Sequence, residues 1–189
     1  MNLISKLKNH NSEIAILLQQ CKENNQKAQL KLYNMYYKAM FNVAIRIIND
    51  KTLAEEIMQD SFLKAFMKLD SYSGNVSFGA WLKKIVINTS INEFKKLNTY
   101  QFDSLNEVAE IIETNENEAV LWNKLKAEEI IKTMQSLKNS YKIILTLSFI
   151  EGYDLEEIST ILNISNENCR TTMSRAKASL RKKLNAYEK

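Results

Sequence analysis

Not one of the 189 residues is proline, and only Gly74, Gly79 and Gly152 are glycine. Proline is the strongest breaker of helices and glycine the next, so a chain with almost neither predicts long helices and few sharp turns. Apolar residues recur at steps of three and four almost throughout: Ile14, Leu17 and Leu18; Leu32, Met35, Tyr36, Ala39, Met40, Val43 and Ile47; Ile158, Ile161 and Leu162. The predicted fold class is all-α.

Start signals divide the chain further. Thr52 with Glu55, and Asp154 with Glu157, each set a capping side chain three residues before a carboxylate, so helices are predicted to open near 52 and 154. DSYSGNVS, residues 70–77, is turn chemistry, and Ser77 is placed to cap the helix beginning FGAWLKKIVINTSINEFKK. Helical patterning fades over YQFDSLNEVAEIIETNEN, which is acidic and has no sustained apolar stripe. Two small helical domains are therefore predicted, 1–98 and 118–189, joined by an acidic linker over 99–117.

Charge and composition narrow the function classes. The composition, 45% hydrophobic and 25% charged, suits a packed soluble protein. Without a run of about 18 uncharged apolar residues or the apolar centre of a signal peptide, a cytoplasmic location is expected. The net charge of +4 is uneven: residues 1–100 carry +6, 101–140 carry −4 and 141–189 carry +2. Two basic blocks around an acidic middle suit two contacts with a polyanion, although a solvated lysine surface gives the same sum. Catalysis is not expected. The lone His10 is near the terminus, there is no glycine-rich phosphate loop, and Cys21 and Cys169 lack the neighbours of a metal site or nucleophile pair, so no metal and no cofactor are expected.

The carboxyl-terminal pattern is that of a helix-turn-helix. A short helix from Asp154 to Leu162 turns at Asn163 and Ile164, and Ser165 caps a longer helix whose Cys169, Met173, Ala176, Leu180 and Leu184 form an inward stripe. Its other face offers Glu167, Arg170, Thr171 and Ser174, with Arg175 beside them, to base edges, and Lys177 and Arg181, with Lys182 and Lys183, to phosphates.

In the helix from Thr52 to Leu69, Met58, Phe62, Phe66 and Leu69 share one side, predicted to be core. Glu56, Gln59, Asp60, Leu63 and Met67 lie across from them, and carboxylates mixed with apolar side chains point to a protein partner with a basic rim, unless Leu63 and Met67 pack on the preceding helix. The next helix carries Phe78, Trp81, Leu82 and Ile85 on one stripe and Lys84, Asn88, Asn92 and Lys95 on another, with Lys83 and Lys96 beside them. Aromatic edges beside amides and lysines suit unpaired bases and their backbone, while a core role for Trp81 stays open.

AEEIMQDSFLKAFMKLDSY followed by FGAWLKKIVINTSINEFKK, and LKNSYKIILTLSFIEGYDLEEISTILNISNENCRTTMSRAKASLRKKL beyond the acidic segment, together resemble the extracytoplasmic-function branch of bacterial RNA polymerase sigma factors of the sigma-70 family. The resemblance implies that Glu56, Gln59, Asp60, Leu63 and Met67 bind the clamp helices of the polymerase largest subunit. It implies that Tyr72, Ser73, Asn75, Trp81, Lys83, Lys84, Asn88, Asn92, Lys95 and Lys96 meet the minus-ten element as it opens. The helix-turn-helix, through Glu167, Arg170, Thr171, Ser174, Arg175, Lys177 and Arg181, would read the minus-thirty-five element and touch the polymerase flap. The implied partners are polymerase core and promoter DNA, with room for an anti-sigma factor and none for a small-molecule substrate. Three departures stand out: Leu137-Lys138 where relatives often have Leu-Pro, Asn163 where they often have glycine, and a distinct recognition segment, NENCRTTMSRAK. The competing reading is a helix-turn-helix repressor or activator that binds duplex DNA without polymerase.

Overall fold

A computed structural model describes residues 3–97 and 127–187. The expected linker, 99–117, lies outside them. The described helices divide into two compact units, Met1–Phe94 and Lys95–Lys189, and there is no strand among the described residues.

The first unit contains α1 (Leu3–Lys22), α2 (Gln26–Ile48), α3 (Lys51–Met67), a 3-10 turn (Leu69–Ser71) and all but the last turn of α4 (Phe78–Leu97). With proline absent and glycine scarce, asparagine makes the reversals. Asn24 and Asn49 both adopt φ 60°, the left-handed conformation asparagine tolerates better than most residues. Asn25 then caps α2, its side chain accepting from the amides of Lys27 and Ala28 at 3.0 and 3.2 Å. The opening of α3 differs from the expected pairing. Asp50 is the cap, accepting from the Leu53 amide at 2.9 Å, and Thr52 lies one residue inside the helix. The preceding Asn49 turn leaves Asp50 extended, which puts its carboxylate over the first free amides. Asp50→Ala is accordingly expected to lower stability by about 1 kcal/mol and Thr52→Ala by less than about 0.5 kcal/mol, as read by urea denaturation of the full chain.

The core of this unit joins Leu17, Leu18, Leu32, Met40, Val43, Ile47, Met58, Phe62, Leu69, Phe78, Leu82, Val86, Ile87, Ile91 and Phe94, all buried. Ala39, counted with the α2 stripe from sequence, is exposed, and Phe66 and Ile85 are half-buried; a helix in a small bundle covers only part of its circumference. Two buried serine hydroxyls are satisfied within their own helices: Ser61 donates to the Ile57 carbonyl at 2.6 Å and Ser90 to that of Val86 at 2.8 Å. Pairs Lys31–Glu13 at 2.6 Å and Lys22–Asp70 at 3.4 Å tie α1 to α2 and to the 3-10 turn, and such exposed pairs contribute little.

The second unit contains α5 (Ala127–Gln135), α6 (Asn139–Leu145), a π-helical turn (Thr146–Ile150), α7 (Leu155–Leu162) and α8 (Asn166–Tyr187). Its centre is Met134, Ile143, Ile144, Leu145, Leu147, Ile158 and Leu162 against the α8 stripe of Cys169, Met173, Ala176, Leu180 and Leu184, every one buried. The expected α7 capping box is present. Asp154 Oδ1 accepts from the amides of Glu156 and Glu157 at 2.9 and 2.8 Å, and the Asp154 amide donates back to Glu157 Oε2 at 3.0 Å. Both cysteines are free and buried, and burial raises their thiol pKa values.

Candidate functional site

Three surfaces gather the candidate residues. On α3, burial of Ala54, Ile57, Met58, Ser61, Phe62 and Ala65 turns the opposite side outward. Glu56, Gln59 and Asp60 are all exposed, and with them Leu63 at 62% and Met67 at 85%. Neither apolar side chain is covered by α2. The result is a ridge of two carboxylates, an amide and two large apolar groups.

The second surface begins at the turn between the 3-10 segment and α4. Ser71 Oγ donates to the Lys68 carbonyl at 2.7 Å, ending the helical run. Gly74 sits at the apex with φ 78°. A Cβ there would meet nothing within 4 Å, so glycine is needed for its backbone angle and not for room. Ser73, Asn75 and Val76 are exposed around it. Ser77 starts α4 as expected, its hydroxyl accepting from the Ala80 amide at 3.2 Å.

Beneath the turn lies a ring cluster. Tyr72 is 5.9 Å from Phe78 and 5.3 Å from Trp81, and Phe78 is 5.8 Å from Trp81, centroid to centroid. Tyr36, from α2, meets Phe78 edge-on at 5.4 Å. A Cβ on Gly79 would lie 2.9 Å from the Tyr36 ring, so here glycine does supply room, for the α2 aromatic to lie over the first turn of α4. Trp81 is half-buried in this cluster: the indole is anchored by its neighbours yet not enclosed. Burial raises the Tyr72 phenol pKa, and burial followed by the nearby Tyr72 raises that of Tyr36. Both therefore remain hydroxyl donors at neutral pH. Along α4, Lys84, Asn88, Asn92 and Lys96 are exposed, whereas Lys83 and Lys95 are half-buried.

The third surface is α8. Asn163 makes the turn with φ 55° and ψ 53°, and Ser165 Oγ accepts from the Asn168 amide at 3.1 Å. Ser159 Oγ lies 2.7 Å from Asn166 Oδ1, and the Cys169 thiol donates to the Leu155 carbonyl at 3.4 Å, so α8 is pinned to α7 at two points. Glu167, Arg170, Thr171, Ser174 and Lys177 are exposed, and Arg175 and Arg181 are half-buried. Arg170, Ser174, Lys177 and Arg181, with Leu155 and Met173, line a cleft of about 340 Å³. Sequence reasoning overlooked two features of this third surface. Leu155 forms part of a cationic groove as well as facing inward, and Phe149, 50% exposed on the π-helical turn, has the Lys177 ammonium 5.7 Å from its ring centre. A lone aromatic before a Glu-Gly pair carries no periodic signal that could have marked it.

Residues 32–99 match the Sigma-70 region 2 family and residues 127–180 the Sigma-70 region 4 family. RNA polymerase sigma factor YlaC of Bacillus subtilis (strain 168) is 30% identical over 155 residues, which cover 81% of this chain and 90% of YlaC. This chain belongs to the sigma-70 family of RNA polymerase sigma factors. Its branch is the extracytoplasmic-function one, as in the ECF sigma factor SigW of the same organism, 26% identical over 178 residues covering 88% of this chain and 94% of SigW. In fold, this sigma factor is similar to RpoE of Bartonella quintana, solved in complex with the anti-sigma factor NepR, with TM-score 0.53 and 21% identity over 82% of this chain and 95% of RpoE. The protein thus serves RNA polymerase in transcription initiation at promoter DNA, as a regulatory initiation factor. No described helix is long and apolar enough to cross a membrane.

Proposed function

We propose that the three surfaces divide the work of initiation among them. The ridge Glu56, Gln59, Asp60, Leu63 and Met67 binds the clamp helices of the polymerase largest subunit. The turn Tyr72, Ser73 and Asn75, with Trp81, Lys83, Lys84, Asn88, Asn92, Lys95 and Lys96 of α4, captures unpaired bases of the minus-ten element and tracks their backbone. On α8, Glu167, Arg170, Thr171, Ser174 and Arg175 read the minus-thirty-five duplex, while Lys177 and Arg181 hold phosphates and set the register. Domain limits of 1–98 and 118–189 around a 99–117 linker go with this division. The second domain also meets the polymerase flap, and the protein acts in the cytoplasm without catalysing a reaction itself. An anti-sigma factor is a further proposed partner, by analogy with RpoE and NepR.

One observation carries the assignment of α3: Leu63 and Met67 stand exposed on the turns just after two exposed carboxylates, a combination that a repressor acting on duplex DNA alone has no use for. Run-off transcription with core polymerase on a promoter library tests the whole reading. Transcripts from a defined promoter subset are expected, and none above core alone would defeat it. Arg170→Ala tests the third surface: removing a bidentate arginine from a base edge costs about 1 to 3 kcal/mol and relaxes choice at a single base pair, whereas Lys177→Ala weakens all duplexes alike. Competition binding of the full chain to minus-thirty-five duplex variants separates the two.

A further inference from the structure

The Tyr72 hydroxyl donates to the Val76 carbonyl at 2.6 Å, closing the turn whose apex is Ser73, Gly74 and Asn75. From this bond we infer that Tyr72 is a positioning residue: its hydroxyl latches the turn shut so that Ser73 and Asn75 are held in fixed relation to the polar row of α4. The inference rests on the reading of this turn as a minus-ten contact and goes beyond it, since Tyr72 there was only one of the residues that capture unpaired bases.

The ring and the hydroxyl of Tyr72 do separate things. The ring packs on Phe78 and Trp81 in the first turn of α4, and Phe78 is backed by Tyr36, so the entry to the turn is mounted on the helix. The exit is Ser77, whose carbonyl accepts from the Trp81 amide at 3.1 Å while its hydroxyl accepts from that of Ala80. Between these two mounted ends the apex residues have little to hold them: a contact from the Asn75 amide to Ser73 Oγ is stretched to 3.5 Å, and Gly74 has no side chain. The hydroxyl bond spans the ends directly, and its oxygen acceptor belongs to Val76, whose own side chain is 53% exposed and provides no packing anchor. A phenylalanine would keep the ring packing and forfeit the latch.

The test uses the full chain with core polymerase on a promoter library randomised over the melted element, with run-off transcripts sequenced for Tyr72→Phe and, separately, Asn75→Ala. Tyr72→Phe is expected to flatten base preference within the melted element by about 2- to 10-fold, the range one hydrogen bond supports, with minus-thirty-five preference unchanged. If Asn75→Ala flattens that preference and Tyr72→Phe matches the wild type, the latch is overturned while the turn keeps its role. If neither variant changes it, the reading of the turn as a base contact fails and the latch fails with it. A Tyr72→Phe protein that loses transcription equally on every library member, in step with a lowered Tm, would show a merely structural hydroxyl and also overturn the inference.

Discussion

Reversing both carboxylates of the α3 ridge, Glu56→Lys with Asp60→Lys, is expected to weaken binding to core polymerase by about 100-fold or more. Juxtaposed like charges cost several kcal/mol at an interface, and about 2.7 kcal/mol already amounts to 100-fold. Both residues are exposed, so the substitution leaves the packing of α3 untouched. Far-UV circular dichroism and affinity for a minus-thirty-five duplex should match the wild type, and a competition assay against labelled wild-type protein reads the loss. Leu63→Ala provides an uncharged check. Its side chain is 62% exposed and contributes little to the core, so a fall in core affinity with unchanged stability would mark it as a buried contact of the complex. A double reversal that binds core as well as the wild type would move the clamp contact elsewhere on the molecule.

The largest expected effect on stability comes from Phe62→Ala. Phe62 is 2% exposed, with Tyr33 at 4.8 Å and Phe66 at 6.1 Å between ring centres. Removing it deletes a ring from the seam between α2 and α3, at about 3 to 5 kcal/mol, a large share of the roughly 5 to 15 kcal/mol that holds a typical domain folded. Hydrogen exchange on the full chain gives the appropriate measurement, because two compact units need not unfold together. Amides of α2 to α4 should lose protection while those of α7 and α8 keep theirs. The half-buried Phe66, truncated in the same way, should give a smaller loss. Core affinity should fall along with the protection in Phe62→Ala, since the ridge on α3 is presented only when its other side is packed.

What could be read in advance was whatever repeats along a helix. The α8 stripe from Cys169 to Leu184 is buried residue for residue, because steps of three and four leave a helix only one way to face a core. The exposed side of α3 follows from the same arithmetic. Local chemistry was legible where one interaction had no rival, as at Asp154 with Glu157 or Ser77. It misled at Thr52 and Glu55, where Asp50 stood two residues earlier and the left-handed Asn49 delivered it to the helix start. The spacing of a capping box does not reveal which of two candidates the incoming backbone favours.

Absence of proline, scarcity of glycine and apolar spacing of three and four together determined that this protein is helical, and the same periodicity determined which faces of α3, α4 and α8 turn outward. The tertiary structure alone decided how those faces are completed: that Trp81 is half-buried among Tyr72 and Phe78, that Gly79 makes way for Tyr36, that the Tyr72 hydroxyl closes its turn on Val76, and that Phe149 comes beside Lys177. The difference is one of range. Backbone angles and helical period act over a few neighbouring residues, whereas ring contacts and loop closure depend on which helix arrives alongside, and that is settled only when the core packs.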